Sequence, residues 1–219
     1  DKMPFDVTGI VAVNASMKAD AEANLASATV GGVSVGLSTS YVGLNAENLA
    51  YLELLQGMKA AANAILVYAC KANDQNSFNA TASTVAGSAG VINVNLNAAV
   101  ADINASNEAK ILSYGIIEGS VYVQADSQAA ALAEIHFVSL GGVDVSNATA
   151  VSLLRINQLA EANITTLDNF ETLIVASLLN NDSATVPSHA KLVTVSGGVY
   201  NANASVAVAY SLSENIARA

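Results

Sequence analysis

Three short motifs recur through this chain in a fixed order and at nearly equal spacing, and that recurrence limits the possible folds more than any other feature. The first is a glycine step read at its valine: Gly31-Gly-Val33, Ala89-Gly-Val91, Gly141-Gly-Val143 and Gly197-Gly-Val199. The second is a β-branched run whose last valines, Val13, Val67, Val123 and Val175, lie 54, 56 and 52 residues apart. The third passes from polar to apolar: Glu47-Asn-Leu-Ala50, Ser106-Asn-Glu-Ala109, Leu159-Ala-Glu-Ala162 and Glu214-Asn-Ile-Ala217. One such series could arise by chance in an Ala- and Val-rich chain. Three with matching periods define four degenerate repeats, near 1–58, 59–114, 115–166 and 167–219 of a single unit 1–219.

The motifs cut the chain into intervals averaging roughly 18 residues, about one coil of a parallel β-helix, so the expectation is three coils per repeat. Local patterning agrees with strands. Val33, Val35, Leu37, Thr39 and Tyr41 alternate with Ser34, Gly36, Ser38 and Ser40. Ile92, Val94, Leu96, Ala98 and Val100 alternate with Asn93, Asn95 and Asn97. A period of two marks a strand with one face buried. Gly, Asn, Asp and Ser between the runs are suited to positive-φ corners. The fold class expected is all-β, a right-handed parallel β-helix (solenoid) of about twelve coils, roughly 55–60 Å long at about 4.8 Å per coil.

Two stretches compete with that assignment. Residues 47–72 and 148–179 are rich in Leu, Ala, Glu and Gln and read in isolation as helices. Gly57 interrupts the first, and both contain a member of the periodic valine series, so both are assigned to strands and turns.

Composition narrows the class. Hydrophobic residues make up 53% of the chain and charged residues 12%, which leaves Asn, Ser and Thr to solubilise the surface. Disordered chains have the opposite balance. Eight basic residues against eighteen acidic ones give a net charge of −10, which argues against nucleic-acid partners and anionic membrane surfaces. No apolar run reaches the roughly 18–20 residues a spanning helix needs, so membrane insertion is not expected. The single cysteine, Cys70, ends the apolar run Ile65-Leu-Val-Tyr-Ala-Cys70 and is expected to pack as a small hydrophobe.

With its repeats laid out, the chain resembles the β-strand repeat region of leukotoxin-type filamentous adhesins, giant secreted proteins of Gram-negative-type bacteria. The likeness rests on Val30-Gly-Gly-Val-Ser-Val-Gly36 and Leu44-Asn-Ala-Glu-Asn-Leu-Ala-Tyr-Leu52 in the first copy. Gly87-Ser-Ala-Gly-Val-Ile-Asn-Val-Asn-Leu-Asn97 carries it in the second, and Val195-Ser-Gly-Gly-Val-Tyr200 in the fourth. Leu52-Glu-Leu-Leu-Gln-Gly57 departs from the pattern, standing where such repeats usually have a glycine-rich corner. The resemblance implies a secreted, cell-surface, non-catalytic rod whose partners are receptors on host cells or other bacteria. It brings no catalytic residues and no cofactor.

The residues themselves offer little chemistry. His136 and His189, 53 residues apart, stand at nearly equivalent repeat positions, too far apart for one metal ion. A polysaccharide-active β-helix enzyme would need converging carboxylates with basic partners. Here the closest acidic pairs are Asp20/Glu22 and Asp168/Glu171, and Arg155 and Arg218 are the only arginines. No catalytic, cofactor or metal site is therefore assigned. Seven Asn-X-Ser/Thr sequons occur, at Asn14, Asn79, Asn104, Asn147, Asn163, Asn181 and Asn203, where composition alone would give about three. They keep open a second class, a glycosylated subunit of an extracellular filament assembling by strand addition. Neither end shows a polar capping unit, so the chain is expected to be an internal piece of a longer solenoid whose open coils associate end to end.

Overall fold

The protein is described by a computed structural model covering residues 5–70, 76–179 and 187–219. Of these residues 92% lie in strands and none in a helix, and the strands curl into a half-barrel. The strands are β1 (Phe5–Asn14), β2 (Lys18–Leu54), β3 (Lys59–Ala69), β4 (Asn76–Asp168), β5 (Leu173–Leu179), β6 (Ser188–Gly197) and β7 (Tyr200–Arg218). They form one sheet in which β1 pairs β3, β3 and β2 pair β4, and β5, β6 and β7 all pair β4. Every pairing is parallel. The described residues of the two stretches with helical composition, 47–70 and 148–179, are strand and turn, broken at Gly57 and at Asn169, both in left-handed backbone conformations; residues 71 and 72 lie outside the described residues.

The repeats stack on one another directly. Val13 lies beside Val67, Val67 beside Val123, and Val123 beside Val175, so the valine series is one unbroken ladder through the sheet. Ala50 lies beside Ala109. At the last step the register departs from the sequence alignment, because Ala217 lies beside Ala160 rather than Ala162. Within β4, Ser88 bonds Ser139 at 2.9 Å and Asp102 bonds Arg155, so the second and third repeats are also neighbours.

These registers correct the coil count. Lys18 pairs with Ser77 and Val143 with Tyr200, 59 and 57 residues on, so the chain comes back to its own neighbour once per repeat. Four passes, not twelve, stack to about 15–20 Å at the spacing of paired strands, not 55–60 Å. The intervals of about 18 residues mark landmarks along one long pass, a corner, an apolar stretch and a polar seam, and not separate coils.

One corner is a stack of glycines. A Cβ on Gly90 would lie 2.2 Å from the carbonyl oxygen of Gly31, and one on Gly198 would lie 2.3 Å from that of Gly141. Gly57 and Gly119 are the only glycines with positive φ among the described residues, so this corner needs glycine for close backbone approach and not for handedness. That corrects the expectation of positive-φ corners at these steps.

The chain folds back on itself about this corner, as cross-interior bonds show. Thr84 donates to the carbonyl of Ala98 at 3.0 Å, and Ser152 to that of Ala131 at 2.7 Å. Two apolar cores fill the space between the facing limbs. One is built on Phe78, Ile103, Ile135, Phe137 and Leu154 among many alanines, the other on Ile65, Val67, Ile111, Ile117, Val121 and Val123. The prevalence of Ala at inward positions lets the limbs approach closely, as packing at native density requires.

Near the glycine corner the inside and outside exchange character. The alternation at 33–41 and 92–100 does mark strands with one face buried, but the buried face is the polar one. Ser34, Ser38, Ser40, Asn93, Asn95 and Asn97 are buried, while Val33, Val35, Leu37 and Leu96 are 67%, 69%, 75% and 52% exposed. Side-chain parity does not change further along the same strand. Val42, Ala46, Ala50 and Leu54 continue the inward face of β2, so the apolar residues cross from the outer to the inner face at Tyr41/Val42 with no bulge. The physical reason lies opposite. Ser27 faces Ser38 at 2.5 Å, Ser34 donates to Thr29 at 2.8 Å, and Ser40 meets Thr84 at 2.8 Å, so the inward hydroxyls pair with one another, while Asn93 Oδ1 and Asn97 Nδ2 of the same face have no such partner.

Candidate functional site

A transverse polar seam between the two cores is the most organised side-chain constellation. Asn107, fully buried, accepts from Asn48 Nδ2 at 2.9 Å and from Asn76 Nδ2 at 2.8 Å, and donates to the carbonyl of Asp126 at 3.1 Å. Asn48 also donates to the carbonyl of Ala15, and Asn76 donates to that of Ala69 while accepting from the amide of Met17. In the third pass the buried Gln158 donates to Ser127 Oγ, and Asn215 lies beside Gln158 in register. The seam thus runs through neighbouring passes and fixes which residues of one limb face which of the other. Its sequence signal was present: Asn48, Asn107 and Asn215 are the asparagines of the third periodic motif. The third copy hides it, because Gln158 takes that place two residues before the aligned Ala160.

The acidic pairs singled out from sequence lie at the surface. Asp20 and Glu22 are both exposed on β2, where Asp20 accepts from Asn79 at 2.6 Å and Glu22 from Asn24 at 2.6 Å. Asp168 ends β4 and Glu171 follows the turn at Asn169, both exposed. Arg155 donates from one guanidinium nitrogen to both oxygens of Asp102, at 2.7 and 2.9 Å, and Arg218 approaches Glu161 at 3.4 Å. These pairs join neighbouring passes on the outer surface, as does Lys191 to Glu134 at 3.5 Å.

His136 lies beside Val193 and His189 beside Leu132, four residues out of step, so the two histidines share no ladder position. No group of three metal-ligating side chains comes together among the described residues. Cys70 is buried, and burial, with the nearby Asp126 carboxyl, pushes its thiol up to about 11. Asp126 is itself held above the ordinary carboxylate range by burial. The burial of Cys70 and the charge of Asp126 disfavour a thiolate nucleophile at neutral pH.

Five of the sequon asparagines, Asn14, Asn104, Asn147, Asn163 and Asn203, are exposed, and Asn79 is half-buried. Asn181 lies outside the described residues. Asn104 donates to Asn45 of the neighbouring pass at 3.2 Å. Asn163 lines a groove of about 320 Å³ with Ile164, Leu167, Leu173 and Arg218 at the corner opposite the glycines. A second groove, of about 470 Å³, runs over the outer face between Val94, Leu96, Val145, Ala202 and Ala204.

No helix is long and apolar enough to cross a membrane among the described residues. No protein-family model, no curated protein and no solved structure matches the chain.

Proposed function

We propose that this chain is a non-catalytic structural and adhesive segment of a secreted bacterial surface adhesin, built as a right-handed β-solenoid with one coil per repeat. The observation supporting this most directly is that each strand pairs in parallel with its own repeat equivalent, so that coil upon coil can be added without a new fold. The polar seam and the glycine corner repeat with the coils, which suits a spacer whose length grows by duplication. Its partners are receptors on host cells or on other bacteria. The test is immunogold labelling of the producing cells with antibody to this chain. Label on intact cells is expected. Label found only after the cells are permeabilised would overturn the reading.

The filament alternative keeps one supporting observation. Among the described residues β7 pairs only with β4, and its side chains are exposed on both faces, an open edge of the kind that strand addition uses. Intact mass of the native protein separates the two readings: glycan on most of the exposed sequons favours the filament subunit, and an unmodified mass favours the adhesin.

A further inference from the structure

The outward face beside the glycine corner is predominantly apolar in every pass, with Thr39, Asn147 and Thr149 as its uncharged polar positions. Val33, Val35 and Leu37 of the first pass lie next to Ile92, Val94 and Leu96 of the second, and Val143, Val145, Tyr200, Val206 and Val208 extend the surface across the third and fourth. No Asp, Glu, Lys or Arg occupies an outward position from 33 to 41, 92 to 100, 143 to 153 or 200 to 212. A protein of net charge −10 therefore has one broad face free of charge. We infer that this face is a sheet-to-sheet interface between two copies of this chain, distinct from the open coil edges.

Three observations select a second copy. The first is area. The exposed apolar side chains of this face sum to on the order of 1,000 Å² or more, beyond the roughly 300–600 Å² of the largest patch on a typical monomer and above the ~800 Å² per partner of a standard stable interface. The second is charge. Two copies meeting elsewhere would bring acidic surfaces together, and here they bring none. The third is the fate of the backbone edges. β2 and β7 border this face, and among the described residues each pairs on one side only, with β4. Sinking the face into hydrocarbon would strip water from those unpaired amides and carbonyls, which lipid cannot replace. Two sheets packed about 10 Å apart leave the same edges at the rim, in water. The groove of about 470 Å³ beside Ala202 and Ala204 gives the face relief.

Analytical ultracentrifugation across a concentration series, with the Leu37→Glu/Leu96→Glu double variant beside the wild type, tests this. Both leucines point outward, so far-UV circular dichroism of the variant should match the wild type. The wild type should dimerise, and the variant's association should weaken at least about tenfold. Hydroxyl-radical footprinting of the wild type at low and high concentration needs no variant, and should show Leu37 and Leu96 gaining protection as the dimer forms. A wild type that stays monomeric overturns the proposal. So does association that the double variant retains with no protection at these leucines, since the coil edges would then be responsible. Wild-type binding to neutral phosphatidylcholine vesicles, lost in the variant and without dimerisation, also overturns it, in favour of lipid. None of these outcomes depends on where the cell places the protein, so the adhesin reading stands or falls separately.

Discussion

Replacing Asn107 with alanine should be among the most damaging single changes in this protein. Its amide makes three bonds in a fully buried position: Oδ1 receives Asn48 and Asn76 at 2.9 and 2.8 Å, and Nδ2 reaches the carbonyl of Asp126 at 3.1 Å. Asn107→Ala leaves two N–H groups and one carbonyl without those partners, in a place that water does not reach. A buried polar group left unpaired costs about 1–3 kcal/mol, so the lower bound for three is about 3 kcal/mol, before any term for the small cavity. Against a typical stability of about 5–15 kcal/mol this is a large fraction. The assay is urea unfolding followed by far-UV circular dichroism, with the slope m checked for constancy. Asn104→Ala is the control. It lies three residues earlier on the outward face with a single 3.2 Å bond to Asn45, and should cost about 0.5 kcal/mol or less. A double-mutant cycle of Asn48→Ala with Asn107→Ala should show coupling of about 1 kcal/mol. A loss below about 1 kcal/mol for Asn107→Ala would refute the view that the seam holds the limbs in register.

Gly119 has φ of +104°, and a Cβ there would lie 1.8 Å from the carbonyl oxygen of Ala62, so Gly119→Ala should cost about 2 kcal/mol or more in the same assay. Gly32, where a Cβ would meet nothing within 4 Å, should accept alanine with little change, and equal effects at the two sites would contradict the corner geometry. Cys70, with its thiol pushed up to about 11, should react with iodoacetamide at pH 8 about a hundredfold or more slower in the native protein than in urea; equal rates would show that the thiol is not buried. Because the unfolded thiol ionises near 8.5 and the folded one near 11, Cys70 favours the folded state fully below about pH 8.5, and that contribution is lost as pH rises through 11. Cys70→Ala should flatten the alkaline limb of the stability profile, and an unchanged limb would assign it to other groups.

Much of the fold was legible before any coordinate. The valine series at 13, 67, 123 and 175 is a ladder in the sheet, and residues 47–70 and 148–179 are strand and turn despite their helical composition. Parallel stacking puts like beside like, so a repeat in the sequence is a direct record of which residues become neighbours. Position 158 was misaligned because glutamine does there what asparagine does in the other passes, and an alignment by residue type does not see a shared hydrogen-bonding task. The seam itself spans residues 31 and 19 apart, Asn76 to Asn107 and Asn107 to Asp126, a separation that no periodicity encodes.

What the sequence determined by itself was the repeat, its strand content and the places where the chain can turn, because each is a property of local chemistry or of self-similarity. The number of passes and the choice of inner face were settled only in three dimensions. Spacing along the chain shows where landmarks fall but not whether the backbone turns at each one. Alternation with a period of two is symmetric: it says that Val33, Val35 and Leu37 lie opposite Ser34, Gly36 and Ser38, and it is silent on which set points inward. That choice depends on what faces the strand across the corner. Thr29, Ser27 and Thr84 face it there, so the serines turn in to meet hydroxyls and the valines and leucine remain outside.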